Sequence, residues 1–142
     1  MPVLVELISL PTYQDQEDLQ KIYRDAPDDL FAPFVDASQL IETALTEQAL
    51  LAGRFNDRLL GAALLQRSEK IWWMSHLCVR KPTRRRGVAE RIVVHAQKLA
   101  LEAGCELRLL TTVERPEVLA LAARLNVPTV LEKPAGSGTC QP

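Results

Sequence analysis

The segment from Ile71 to Ala103 constrains this chain more than any other. An apolar run, Ile71–Val79, meets the turn Arg80-Lys81-Pro82-Thr83-Arg84-Arg85-Arg86, then Gly87, then a helical pattern over Val88–Ala103. Five of the seven turn residues are basic, in a protein whose net charge is −1. Strand, basic turn, glycine and helix together suit a polyphosphate. The first amides of a helix lack intrahelical acceptors, and the helix dipole favours an anion beside them. Gly87 lets backbone approach a phosphate closely, and arginines supply planar arrays of donors.

The rest of the chain supplies a frame for that turn. Val3–Leu10 reads as a strand ending at Pro11. Thr12 or Asp15 can cap a helix over Asp15–Asp25, with Leu19, Ile22, Tyr23 and Ala26 on one face. Ala26–Val35 reads as a loop with apolar groups to bury, Leu30, Phe31 and Phe34. Asp36 with Gln39 has the form of a capping box opening a second helix, Ala37–Gln48, with Leu40, Ile41, Ala44 and Leu45 inward. Ala49–Phe55 and Leu59–Gln66 form a hairpin about Asn56-Asp57.

Glu69–Val79 is the next strand. Strict alternation puts Trp72, Met74, His76 and Cys78 on one face and Trp73, Ser75, Leu77 and Val79 on the other. Both faces are largely apolar, as in a strand covered on each side. The helix after Gly87 turns Val88, Ile92, Val93, Ala96, Leu99 and Ala100 inward and ends at Gly104. Glu106–Val113 is a strand. Pro116 opens a helix lined by Leu119, Ala122 and Leu125 and stopped by Asn126, and Val127–Glu132 is a last short strand. The order β-α-α-β-β-β-α-β-α-β predicts an α/β fold, a central mixed sheet flanked by helices. A right-handed crossover through the Gly87 helix makes Ile71–Val79 and Glu106–Val113 parallel neighbours. Ligands of such sheets lie at the carboxyl ends of strands, where the basic turn falls.

Composition narrows the function classes. The chain has 142 residues, 47% apolar and 25% charged, which suits one globular domain with a mobile tail over 133–142. A pI near 6.1 gives no protein-wide basic field, so nucleic acid is not the expected partner. Cys78, Cys105 and Cys140 match no metal or disulfide spacing, and with only His76 and His95 no metal site is expected. Val3–Leu10, interrupted by Glu6, is too short for a signal core or a membrane span, so a cytoplasmic, membrane-free protein is expected.

Arg84-Arg85-Arg86-Gly87-Val88-Ala89 fits [Arg/Gln]-x-x-Gly-x-[Gly/Ala]. In its strand–turn–helix setting this resembles the pyrophosphate loop of the GNAT (Gcn5-related N-acetyltransferase) superfamily. The resemblance implies a GNAT fold and an acetyl-CoA or CoA ligand. Pantetheine would pair with backbone around Leu77, Cys78 and Val79, and pyrophosphate would lie on the turn over Arg84, Arg85, Arg86, Gly87, Val88 and Ala89. Three strings, Asp18–Tyr23, Arg54–Leu60 and Thr83–Val88, are similar to the PanZ-like (PanM-like) group of that superfamily. Members of that group bind acetyl-CoA and then the aspartate α-decarboxylase proenzyme of pantothenate biosynthesis, promoting its self-cleavage. The likeness implies proenzyme contacts at Arg54 and Asn56 and runs from about Asp15 to Glu102, with Ala26–Gln48 longer than the family's connection.

The alternative is an active N-acetyltransferase on a small-molecule or protein amine. That chemistry needs a base for the amine proton and usually an acid for the leaving thiolate. GNAT enzymes often use a tyrosine after the fourth helix as the acid, and here no tyrosine follows Tyr23. The base candidates are Glu114, at a strand end near the expected acyl group, and His76. Each has a plain structural role too, Glu114 as a helix-start carboxylate and His76 as a hydrogen-bonded core histidine. Cys78, Trp72 and Met74 read as core.

Overall fold

The computed structural model describes residues 3–24, 26, 34–80, 87–111 and 116–131. They form β1 (Leu4–Leu7), α1 (Tyr13–Arg24), α2 (Ala37–Thr46), β2 (Leu50–Phe55), β3 (Arg58–Arg67), β4 (Ile71–Val79), α3 (Val88–Glu102), β5 (Glu106–Thr111), α4 (Pro116–Arg124) and β6 (Thr129–Leu131). The element order is the expected one. The six strands make one sheet in sequence order. β1 to β4 pair antiparallel, and β4–β5 and β5–β6 pair parallel through α3 and α4.

Local chemistry sets the element ends. α1 begins at Tyr13, two residues earlier than expected, because Thr12 and Asp15 cap it reciprocally. Thr12 Oγ1 accepts the Asp15 N–H at 3.0 Å, and Asp15 Oδ2 accepts the Thr12 N–H at 3.3 Å. Asp36 caps α2 by accepting the Gln39 N–H at 2.9 Å, while Gln39 reaches back to the Val35 N–H at 2.6 Å. α2 stops at Thr46 rather than Gln48, which has φ 53°. Asn56 and Asp57 have φ 51° and 65°, the left-handed pair that matches a two-residue hairpin to strand twist. β4 starts at Ile71 rather than Glu69 because a turn closes there, with the Ser68 N–H donating to the Ile71 carbonyl. β1 and β6 are shorter than expected.

Two apolar layers cover the sheet. On one face α3 and α4 bring Val88, Ile92, Val93, Ala96, Ala100, Val118, Leu121 and Ala122 onto Leu51, Leu65, Met74, Leu77 and Leu107. On the other, Leu19, Ile22 and Tyr23 of α1 and Leu40, Ile41 and Ala44 of α2 pack on Leu50, Ala52, Leu59, Ala62 and Leu64. Leu45, Leu99 and Leu119, expected inward, are half-buried, and Val118 and Leu121 carry the inner face of α4 instead. Of the loop residues, Ala26 is buried and Phe34 half-buried, while Leu30 and Phe31 lie outside the described residues.

β4 departs from strict alternation. Leu64 pairs with Ser75 and Ala62 with Cys78, so β4 carries an extra residue opposite Ala63. His76 absorbs it with φ 56°. The bulge inverts the phase of the strand. Met74, Leu77 and Val79 all face α3, and Cys78 faces α1. The expectation that His76 and Cys78 share a face with Trp72 and Met74 is corrected accordingly.

Candidate functional site

The parallel register of β4 with β5 runs from Ile71↔Glu106 to Met74↔Leu109, immediately before the bulge. Beyond it, β4 continues to Val79, and the Arg80 N–H donates to the Leu60 carbonyl at 2.8 Å. Gly87 is the N-cap of α3, with φ 82° and no side-chain cap. A Cβ built on Gly87 would meet no atom of the described residues within 4 Å. The first intrahelical bond is Arg91 N–H to the Gly87 carbonyl at 3.0 Å, leaving the amides of Val88, Ala89 and Glu90 without an intrahelical acceptor.

A paired glycine patch sets how close α3 sits. Gly53 and Gly61 are register partners on β2 and β3. A Cβ on Gly61 would lie 3.0 Å from Val88 Cγ1 and 3.2 Å from Ile92 Cδ1, and one on Gly53 would lie 3.0 Å from Val3 Cγ1. Their missing side chains admit the first turn of α3 onto the sheet.

His76 is held from several directions. Its carbonyl accepts the Tyr23 hydroxyl at 2.7 Å, its Nδ1 lies 2.8 Å from Ser75 Oγ, and the Phe34 ring meets the imidazole edge-on at 5.4 Å between centroids. Left-handed backbone at a non-glycine residue costs on the order of 1 kcal/mol and persists only where surroundings fix it. Tyr23, fully buried on α1, is one such fixture.

The β2–β3 hairpin is clamped to α1 by two carboxylates. Asp15, 3% exposed, accepts Arg54 Nη1 at 2.9 Å and Nη2 at 3.1 Å, and Arg54 Nε also donates to Glu6 at 2.9 Å. Asp18, fully buried, accepts Arg58 Nε and Nη2, the Leu59 N–H at 3.1 Å and Gln14 Nε2 at 3.0 Å. The Arg54 hydrogen bonds hold the Asp15 carboxyl below its ordinary range despite burial. Burial pushes Asp18 up, but the bonds from Arg58, Leu59 and Gln14 outweigh it, and its net shift is also downward. Both arginines are raised, chiefly by the hydrogen bonds to their aspartate partners.

A carboxylate depressed in the folded state stabilises fully above its unfolded value, about 4, and that contribution is lost as pH falls through the folded value. Urea midpoints should therefore be level from about pH 5 to 7 and drop below about pH 4. An Arg54→Met/Arg58→Met protein should be less stable at pH 7 and should show a shallower acid limb. An unchanged acid limb would refute this origin.

The structure brings some of the sequence candidates together and separates others. Leu77, Cys78 and Val79 have buried side chains, so what they offer a ligand is main chain. Val88 is buried and Ala89 half-buried at the start of α3. Arg84, Arg85, Arg86 and Glu114 lie outside the described residues, as does the tail over 133–142. The Arg54 guanidinium is turned onto α1, while Asn56 is exposed at the hairpin tip. Sequence reasoning missed the clamp. Its signal was present as Asp15 and Asp18, placed just before the core-facing Leu19 and Ile22 on α1, matched by arginines at 54 and 58 flanking the turn. Trp72 packs against the core, and Trp73 lies 5.9 Å beneath the Arg108 guanidinium.

The mixed six-stranded sheet with its four helices superposes on solved GNAT acetyltransferases. N-acetylglutamate synthase from Neisseria gonorrhoeae, complexed with coenzyme A and N-acetyl-glutamate, superposes with TM-score 0.66 at 17% identity, over 87% of this chain and 28% of its own. The chain thus spans under a third of that protein. The PaiA N-acetyltransferase from Thermoplasma acidophilum, complexed with coenzyme A, gives 0.63 at 16% identity over 89% of this chain and 88% of its own. A GNAT family acetyltransferase from Elizabethkingia anophelis with acetyl-CoA bound gives 0.63 at 15% identity over 87% of this chain and 74% of its own. No curated protein matches the sequence. The family model described as "Acetyltransferase (GNAT) domain, PanZ" matches residues 2–115, and the chain belongs to that family. Among the described residues no helix is long and apolar enough to cross a membrane.

Proposed function

We propose that this protein binds acetyl-CoA and acts as a PanZ-like regulator that docks on the aspartate α-decarboxylase proenzyme. The observation that carries the reading is the PanZ family match over 2–115, which spans the strand–turn–helix unit and the clamped hairpin alike. In this reading the pyrophosphate lies on the helix start at Gly87, Val88 and Ala89, with Arg84, Arg85 and Arg86 as countercharges. Pantetheine runs along the main chain of Leu77, Cys78 and Val79. The CoA-bound neighbours support that ligand class. Asn56 contacts the proenzyme from the hairpin tip, and Arg54 serves that surface by fixing the hairpin on α1.

A second reading, N-acetyl transfer to an amine, is favoured by the histidine at the bulge. His76 would accept the amine proton there, with Glu114 as the other base candidate. Proenzyme association measured with and without acetyl-CoA, beside CoA-thiol release with a panel of amines, separates the two readings.

A further inference from the structure

We infer that α1 is the element that couples ligand occupancy at the bulged strand to the hairpin, with Tyr23 as its positioning residue. The inference rests on the proposed placement of acetyl-CoA along β4 and goes beyond it by naming the route. α1 is tied at its carboxyl end to the bulge. The Tyr23 hydroxyl donates to the His76 carbonyl at 2.7 Å, and Cys78 Sγ donates to the Ile22 carbonyl at 3.3 Å. At its amino end α1 is tied to the hairpin through Asp15 with Arg54 and Asp18 with Arg58 and the Leu59 amide. Leu19, Ile22 and Tyr23 are fully buried and packed in one cluster, so a displacement at the carboxyl end of the helix is carried along it through close-packed contacts.

The bulge is the strained end of this lever. A ligand that pairs with main chain beside His76 changes the free energy of holding φ 56° there, and the Tyr23 bond passes that bias to α1. The carboxylates then pass it to the hairpin, because each is held by directional, charge-assisted bonds on both sides. Linkage makes the effect reciprocal, so a partner seated on the hairpin tightens ligand binding by the same factor.

The test uses the full chain and acetyl-CoA alone. Amide hydrogen exchange is followed at Leu59 and Phe55 with and without saturating acetyl-CoA, and affinity is measured by calorimetry. In the wild type, acetyl-CoA should slow hairpin exchange about tenfold. Tyr23→Phe, which removes only the hydroxyl, should still bind acetyl-CoA but show less than about a twofold response at the hairpin. Arg58→Ala, on a half-exposed side chain, removes one of the hairpin ties and should reduce the Leu59 response while α1 still responds. A wild type that binds acetyl-CoA without hairpin protection overturns the route, as does a full response in both variants. No binding to the wild type would instead overturn the ligand assignment on which the route rests.

Discussion

The Gly87→Glu protein should fold and lose acetyl-CoA. Calorimetric affinity should fall by at least about a hundredfold, equivalent to about 2.7 kcal/mol. The fold should persist because a Cβ at Gly87 would meet no atom of the described residues within 4 Å. Its φ of 82° costs an L-residue on the order of 1 kcal/mol, and a carboxylate at a helix start recovers part of that through the dipole. The same carboxylate occupies the space before the helix and competes with phosphate for the amides of Val88 and Ala89. Gly87→Ala separates the effects, sharing the backbone strain without the charge and retaining more affinity. Unchanged affinity in Gly87→Glu would remove the phosphate from this turn.

Asp18→Ala should be the most destabilising single change at the clamp. It removes a fully buried acceptor and leaves the Leu59 amide without its carboxylate partner in the core. Losses of this kind run to about 3 kcal/mol, which for a chain of this size lowers Tm by about 10 °C. Asp18→Asn, which keeps an acceptor oxygen of the same shape for that amide, should lose less. The gap between the wild type and Asp18→Asn should narrow at acid pH, where the wild-type carboxylate is itself protonated. A loss under about 0.5 kcal/mol in Asp18→Ala would mean the clamp is a surface ion pair.

The fold is legible in the sequence because its signals are local. Thr12, Asp36, Asn56-Asp57, Gly87 and Gly104 mark element ends with side-chain or backbone chemistry that operates within a few residues. The crossover rule then turns element order into a parallel pair. The bulge is not legible, since an extra residue in a strand leaves apolar composition unchanged and moves only the phase of the residues after it. Alternation therefore gives His76 the wrong neighbours. Its tie to Tyr23 spans 53 positions and has no periodic signature. The hairpin clamp is half legible. A pattern reading classes Asp15 as a cap, which it is, and Arg54 as a partner contact, and only tertiary packing brings the two charges together. The glycine pair carries no pattern until the helix above it is placed.

Control of partner association by acetyl-CoA is the central claim. The most direct measurement titrates this protein onto aspartate α-decarboxylase proenzyme by calorimetry, with and without saturating acetyl-CoA, and monitors proenzyme self-cleavage in parallel. Binding and cleavage are expected with acetyl-CoA and little of either without it, with weaker binding for Asn56→Ala at unchanged acetyl-CoA affinity. Equal proenzyme binding in both conditions, or steady CoA-thiol release with an amine and no proenzyme binding, would contradict the claim.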